Sequence, residues 1–392
     1  MFIAFLLVLF TALVALNVYV AKRAARVFGL GVRGRRALLA TGLLGLVLLF
    51  GARAAGAQLG DLARPLALLG AGLSLAMLLA GAMLLHVDAL RAVGWLTRRV
   101  RRSKEAAAPP ARDGRRDFIE QVASGAALTV GGTAGLWGVA FGRHDYALEE
   151  VVVRLPGLPR SLEGFTLAQL SDIHFGTFVG ETQRQDALEF VGRARPDLIV
   201  LTGDLIDHDA RYVPLLGHLV EDLRPLARFG VAAIPGNHDH YAGVDQVLAT
   251  LRRAGADVLL NAGKSIGDAG GAFALVGVDD RWARRGGAGP DLERALAMVP
   301  PDLPRVLLAH QPAYFREGPA GRVGLQLSGH THGGQISLGW NPAEVVLPYG
   351  YVRGLYTHEG SQLYVNRGFG TAGPPARVAS APEITKLVLT AG

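Results

Sequence analysis

The chain of 392 residues contains no cysteine. This absence excludes disulfide bonds, thiolate metal sites and cysteine nucleophiles. A sequence without disulfides is compatible with either side of a membrane, so the compartment stays open. No internal repeat at the periods of solenoid proteins is present, which argues against a repeat architecture.

Acidic residues are scarce in the first 142 residues, where 17 lysines and arginines stand against 6 aspartates and glutamates. Residues 143–392 contain 23 basic and 27 acidic residues. The high isoelectric point of about 9.9 is therefore a property of the N-terminal part. It gives no reason to expect a nucleic-acid partner for the C-terminal part.

Charged side chains are also absent from three apolar runs, residues 2–21, 37–52 and 66–87. A membrane-spanning helix needs about 20 apolar residues. The second run is shorter, but Arg36 and Arg53 at its ends can reach the membrane interface. The alternative is a buried soluble hairpin, but the runs lack the polar face of a surface helix. We expect transmembrane helices within residues 1–97, and their lack of charge argues against a transporter.

A weaker apolar stretch, residues 121–142, is rich in glycine, alanine and threonine. It follows a basic linker, residues 98–120, in which Arg115-Arg116-Asp117-Phe118 is similar to a twin-arginine export signal. The alternative is that paired arginines in an arginine-rich linker have no such meaning. No clear small-x-small cleavage pattern is present, so we expect residues 121–142 to form a retained fourth span or a signal-like segment.

Loop charge predicts the orientation of these segments. Residues 22–36 contain six lysines and arginines, and residues 88–120 contain nine. The positive-inside rule places both loops in the cytoplasm. Four spans would put the C-terminal domain outside, whereas three would leave it inside. We expect a multi-pass protein of the cytoplasmic (inner) membrane whose C-terminal domain is extracytoplasmic.

From about Leu148 onwards the pattern is typical of an α/β domain, which we assign to residues 148–392. Short apolar runs, such as residues 198–202 and 231–234, alternate with stretches of helical spacing, such as residues 213–228. This alternation predicts βαβ units.

Five short motifs each follow one of the apolar strand-like runs. The carboxyl ends of strands in α/β sheets are where ligands bind, so residues far apart in sequence meet there. Any single motif is weak, because a core histidine or a turn aspartate is common. Together they suit two adjacent metal ions, and two-metal sites are built for phosphate ester hydrolysis. The motifs are Asp172-Ile173-His174, Gly203-Asp204, Gly236-Asn237-His238-Asp239, His310 and Gly329-His330-Thr331-His332.

These motifs resemble those of the calcineurin-like metallophosphoesterase superfamily over about residues 165–389. The N-terminal apolar runs, the paired arginines and the stretches 329–336 and 364–370 are similar to its membrane-anchored bacterial branch. The resemblance implies an α/β fold, a β-sandwich flanked by helices, preceded here by three or four transmembrane helices. Some members of this branch are UDP-2,3-diacylglucosamine hydrolases or general phosphodiesterases.

The resemblance also implies which side chains bind metal. Asp204 would bridge two divalent ions, and three further ligands would complete each site. Carboxylate, amide and imidazole ligands suit manganese, iron or zinc. The first ion would take Asp172, His174 and His332, and the second Asn237, His310 and His330.

In the same family, the residue at the position of His238 protonates the leaving oxygen or binds the phosphoryl group. Asp207 or Asp239 could orient it, and Asp207 matches the family pattern Gly-Asp-x-x-Asp. The expected reaction is hydrolysis of a phosphodiester, phosphomonoester or pyrophosphate by a metal-bridged hydroxide. Membrane anchoring favours a lipid-linked or envelope substrate such as UDP-2,3-diacylglucosamine, and hence a role in lipid metabolism. The alternative is a catalytically idle metal-binding or interaction module.

Overall fold

The computed structural model describes residues 2–55, 59–102, 114–337 and 341–391. The chain divides into two compact units, Met1–Gly142 and Arg143–Gly392. Part of the predicted basic linker, residues 103–113, lies outside the described residues.

The first unit consists of long apolar helices. Four segments of it are long and apolar enough to cross a membrane: Val8–Val27, Val32–Ala52, Ala63–Thr97 and Asp117–His144. The prediction of three or four such helices before the α/β domain is therefore confirmed, with four. The helices are α1 (Phe2–Val27), α2 (Val32–Ala54), α3 (Ala63–Arg102) and α4 (Gly114–Ala140).

Glycines of α4 allow it to pack closely against α3. A Cβ atom added at Gly131 would lie 2.6 Å from the backbone of Ala80, and one at Gly135 would lie 2.5 Å from the nitrogen of Ala76. Small residues at helix interfaces let membrane helices approach at backbone distance. Packing therefore explains two of the glycines of this segment, Gly131 and Gly135.

Charged residues of three helices meet at one end of this bundle. The guanidinium of Arg23 in α1 lies 3.1 Å from the carboxylate of Asp88 in α3 and 3.2 Å from that of Glu120 in α4. Arg91 of α3 also pairs with Asp88 at 3.1 Å. The network joins the C-terminal parts of α1 and α3 to the N-terminal part of α4, so α4 runs antiparallel to both.

The second unit contains two six-stranded mixed sheets. The first has the order β1-β12-β2-β3-β4-β5 and the second the order β10-β11-β9-β8-β7-β6. Strands β2 to β5 are parallel to one another, as are β7, β8, β9 and β11. The strands are β1 (Ala147–Leu155), β2 (Thr166–Leu170), β3 (Leu198–Thr202), β4 (Val231–Ile234), β5 (Asp257–Val258), β6 (Ala262–Asp268), β7 (Gly271–Gly277), β8 (Arg305–Leu308), β9 (Leu325–Ser328), β10 (Gly354–His358), β11 (Ser361–Val365) and β12 (Glu383–Ala391).

The two faces of the central strands serve two separate cores. In β3, Leu198 and Val200 pack between the sheets, whereas Ile199 and Leu201 pack against the helices. Because both faces are buried, the strand is apolar at every position from Leu198 to Leu201 instead of alternating. The predicted sandwich flanked by helices is confirmed. The helices of this unit are α5 (Glu181–Ala194), α6 (Val213–Leu223), α7 (Asn237–Ala242), α8 (Val244–Arg253), α9 (Leu292–Leu296) and α10 (Ala343–Val346).

Candidate metal centre

Loops that follow the strands of both sheets meet at the carboxyl edge of the sandwich. Within the first sheet, the nitrogen of Asp172 donates to the carbonyl oxygen of Gly203 at 2.9 Å. Between the sheets, the nitrogen of His330 donates to both carboxylate oxygens of Asp172, at 2.9 and 3.0 Å. Residues separated by 158 positions are thus brought into direct contact.

Five of the predicted ligands adopt a left-handed backbone conformation, with φ between 51° and 71°. Residues other than glycine rarely occupy this region, and each instance costs about 1–3 kcal/mol. Such residues cluster at functional sites, where the surrounding structure holds them in place. The five are Asp172, His174, Asp204, His330 and His332.

Two glycines at this edge are required for different reasons. Gly203 has a φ of 90°, which favours glycine. Gly329 is needed for space, because an added Cβ would lie 1.9 Å from Ser171 Oγ and 2.1 Å from Asp172 Oδ2. Both glycines precede a predicted ligand, and both let the ligand loops approach one another.

The first group of candidate ligands comprises Asp172, His174 and His332, whose ligand atoms all lie within 4.8 Å of one another. The Nε2 atoms of the two histidines are 3.1 Å apart, and His332 Nε2 is 3.4 Å from Asp172 Oδ1. All three side chains are buried. The geometry brings two imidazole nitrogens and a carboxylate oxygen to one point.

The second group comprises Asp204, His310 and His330, again within 4.8 Å. His310 Nδ1 donates to the carbonyl oxygen of Thr202 at 2.8 Å, so its Nε2 is directed at Asp204 Oδ2, 3.2 Å away. A hydrogen bond from one ring nitrogen to a carbonyl is the usual way to orient a metal-binding histidine. Asp204 Oδ2 is also 3.7 Å from His174 Nε2, so this carboxylate lies between the two groups.

Asn237 lies at the start of α7, and its side-chain oxygen is buried with no hydrogen-bond partner among the described residues. Burying an amide oxygen without a partner costs about 1–3 kcal/mol. A cation would satisfy this oxygen, as the sequence prediction requires.

The electrostatics of the groups also fit a cation. Burial disfavours the charged form of Asp204, but His310 and His174 outweigh it and hold the pKa of this carboxyl below its usual range. Burial likewise opposes protonation of His310, yet Asp204 raises its pKa well above the usual value. In the metal-free site, a proton on His310 thus balances the negative charge of Asp204. A bound divalent ion would take the place of that proton.

The pKa values of His332 and His330 are lowered, so both imidazoles are neutral at neutral pH. Burial, together with the nearby charge of Arg377, holds the pKa of His332 well below its usual value. Burial and His310 lower the pKa of His330. Neutral imidazole is the form that binds metal ions.

Arg377 is a buried residue of the site that the sequence analysis missed. Its guanidinium donates to the backbone carbonyls of His332 (2.9 Å), Arg367 (2.7 Å) and Gly368 (3.0 Å), and lies 3.1 Å from His332 Nδ1. Burial lowers its pKa to about 10, so the guanidinium stays charged at neutral pH. Arg377 therefore holds the loop and ring of His332. No motif in the sequence marks this arginine.

Of the two candidates for orienting His238, only Asp207 contacts its ring. His238 Nδ1 donates to the backbone carbonyl of Asp207 at 2.7 Å, and the Asp207 carboxylate is 3.4 Å away. Asp239 is fully buried and accepts hydrogen bonds from the backbone nitrogens of Leu205, Ile206 and Gly236. Asp239 therefore supports the loop that follows Asp204 and has a structural role.

Comparison with known proteins gives relatives over the same region. Residues 165–334 match the model of the calcineurin-like phosphoesterase family. The uncharacterized metallophosphoesterase YkuE of Bacillus subtilis is 33% identical over 290 residues, which cover 70% of this chain and 97% of YkuE. The transmembrane protein with metallophosphoesterase domain of Danio rerio is 33% identical over 70% of this chain and 65% of its own length. Its Bos taurus counterpart is 36% identical over 62% and 57%. The chain thus covers somewhat less than two thirds of each vertebrate relative.

Proposed function

Because the chain belongs to the calcineurin-like phosphoesterase family, we propose that it is a membrane-anchored hydrolase that cleaves phosphate esters at a centre of two divalent ions. The position of Asp204 between the two ligand groups is the observation that supports this best. One carboxylate shared by two cations holds them about 3.5–4 Å apart. Phosphodiesters, phosphomonoesters and pyrophosphates all suit such a centre.

The ligand roles in this proposal follow the two groups. Asp172, His174 and His332 would hold one ion, and Asn237, His310 and His330 the other, with Asp204 shared. Two bound divalent ions supply Lewis acidity, which lowers the pKa of a water molecule and neutralises the phosphoryl oxygens. Manganese, iron and zinc all fit this set of ligands.

His238 donates a proton to the leaving oxygen in this mechanism. Its Nδ1 proton is engaged by the carbonyl of Asp207, which leaves Nε2 as the nitrogen that exchanges protons with substrate. Burial opposes the charged form, but Asp207 and Asp204 outweigh it and raise the pKa of His238 above its usual value in the metal-free site. The side chain is partly exposed, so a substrate can reach it.

The catalytic domain lies outside the cytoplasm in our proposal. α4 is antiparallel to α1 and α3. If all four helices span, the chain therefore leaves α4 on the side opposite the basic loops 22–36 and 88–120. The paired arginines Arg115 and Arg116 stand in the first turn of α4, directly before its apolar stretch, and are similar to a twin-arginine signal. A lipid-linked or envelope substrate, such as UDP-2,3-diacylglucosamine, fits this placement.

Activity of the purified full-length protein tests the proposal. It is assayed with manganese, iron or zinc on bis-p-nitrophenyl phosphate, p-nitrophenyl phosphate and UDP-2,3-diacylglucosamine. We expect metal-dependent hydrolysis that chelation abolishes and metal restores. Absence of turnover in a protein that holds two metal equivalents would favour the idle binding module. Hydrolysis that persists in the chelated protein would rule out the metal mechanism.

A further inference from the structure

Beside His238, a row of aromatic rings extends from the metal centre to the protein surface. The ring of His208 lies 4.7 Å from that of His238, and the ring of Tyr241 lies 5.1 Å from it. The indole of Trp282 lies 5.0 Å from Tyr241, in an edge-to-face arrangement. We call His208, Tyr241 and Trp282 the aromatic wall.

We propose that the aromatic wall is a leaving-group subsite that binds a planar heteroaromatic ring, as carried by a nucleoside. This inference rests on the proposed function, because it takes His238 as the residue that protonates the leaving oxygen. In an in-line displacement the nucleophile and the leaving group are on opposite sides of phosphorus. Rings beside the proton donor therefore meet the leaving group and are remote from the attacking side.

Tyr241 and His208 of the wall are exposed, although aromatic side chains gain from burial. Tyr241 is 43% exposed, and the side chain of His208 is 57% exposed. The Tyr241 hydroxyl accepts a hydrogen bond of 3.4 Å from Asn237 Nδ2, which ties the exposed ring to a proposed metal ligand. An exposed ring fixed next to a reaction centre offers a flat surface for stacking.

Buried carboxylates hold Trp282 in place. Asp280 accepts from the backbone nitrogen of Trp282 at 2.7 Å and from the side-chain nitrogen of Gln311 at 2.9 Å. Gln311 follows directly after the ligand His310, so the wall and the metal centre share one support. Both Asp280 and its neighbour Asp279 are buried, and their carboxylates are engaged by protein groups.

Asp279 supports the wall indirectly, through the ring of His240. Its carboxylate lies 2.8 Å from His240 Nε2, and the ring of His240 lies 5.8 Å from that of Trp282. The wall therefore rests on two acidic residues from the end of β7 and on the helix that carries His238.

The chemistry of the wall favours a heteroaromatic ring over an acyl chain. Each member presents a π face together with a polar atom, and the guanidinium of Arg285 lies 5.7 Å from the Trp282 ring. Acyl chains need aliphatic surroundings, whereas nucleobases combine flat faces with polar edges. Stacking on aromatic side chains is tolerant of base identity. The subsite should therefore select for the presence of a base and discriminate little between different bases.

Competition between two phosphates that differ only in the base tests the subsite. Inhibition constants of AMP and of ribose 5-phosphate are measured against bis-p-nitrophenyl phosphate hydrolysis by the metal-loaded full-length protein. We expect AMP to bind about 10- to 100-fold more tightly. Tyr241→Ala and Trp282→Ala should bring this ratio towards one, and Tyr241→Phe should retain it. The matched control is Tyr349→Ala, another exposed tyrosine, which lies outside the wall.

Equal inhibition by the two phosphates in the wild-type protein would overturn the subsite. A preference for AMP that survives in both alanine variants would overturn it as well, because the base would then bind elsewhere. Neither result would contradict the proposed hydrolysis of phosphate esters. A wild-type protein that holds two metal ions and hydrolyses no phosphate ester would instead refute the proposed function, and the subsite with it.

Discussion

Replacing Asp204 by asparagine should remove one metal ion from the centre. Asp204 Oδ1 accepts the backbone N–H of His238 at 2.8 Å. An asparagine amide can satisfy that donor only with its oxygen, so its NH2 group must face His310 and His174. The position of Oδ2, which faces the proposed metal ions, would thereby lose both its negative charge and its lone pair.

The size of this effect follows from Coulomb's law. Two unit charges 4 Å apart interact with about 4 kcal/mol at an effective dielectric constant of 20, so two dications repel by about 16 kcal/mol. A shared carboxylate is the main local offset to that repulsion. We expect Asp204→Asn to hold at most one metal equivalent and to lose nearly all turnover.

Metal content by elemental analysis and turnover of p-nitrophenyl esters measure this prediction together. Asp279→Asn is the matched control, because this carboxylate is also buried but faces His240 instead of the ligand groups. We expect the control to keep two metal equivalents. Two full equivalents in Asp204→Asn would refute the bridging role.

Four further predictions address other parts of the molecule. His238→Gln should keep both metals and lose about 10²–10⁴-fold in turnover, with a larger loss for alkyl than for p-nitrophenyl esters; equal losses would argue against proton donation. Arg377→Lys should release metal from the first ligand group, as measured by elemental analysis. Arg184→Lys, at a buried arginine that pairs with Glu181 and Asp222, should not. Full occupancy in Arg377→Lys would contradict the positioning role. Gly135→Leu should lower the melting temperature in detergent, whereas Gly132→Leu, with open space around its Cβ, should not; equal melting temperatures would refute the packing argument. Alkaline phosphatase fused after the last residue should be active, and a cytoplasmic, inactive reporter would overturn the orientation.

The central strands could be predicted from the sequence because they are buried on both faces. Strand β3 is apolar at Leu198 to Leu201, and β4 is apolar throughout. The residues after these strands had to lie at one edge, which is why the candidate ligands could be identified without coordinates. This inference depends only on strand direction and needs no knowledge of side-chain packing.

Strand β12 shows why other elements were missed. It inserts between β1 and β2, but its first residues include the buried polar side chains Glu383 and Thr385. Glu383 accepts a hydrogen bond from the hydroxyl of Tyr364 at 2.8 Å and pairs with Arg367 at 2.7 Å. These polar residues interrupt the apolar pattern of the strand. Their hydrogen-bond and ion-pair partners are distant in sequence, so the sequence does not show that they can be buried.

Sequence motifs indicate the class of reaction here, whereas they do not indicate the substrate. The ligand residues directly follow strands, where sheet geometry fixes their positions, so the motifs indicate a class of reaction. The aromatic wall lies further out, on the loop of His208, on α7 and on the turn after β7. Loops at these positions vary without disturbing the sheets, and binding residues are commonly found there. In our proposal the ester that is cleaved is set by residues such as Tyr241 and Trp282, which become recognisable only when their position relative to His238 is known.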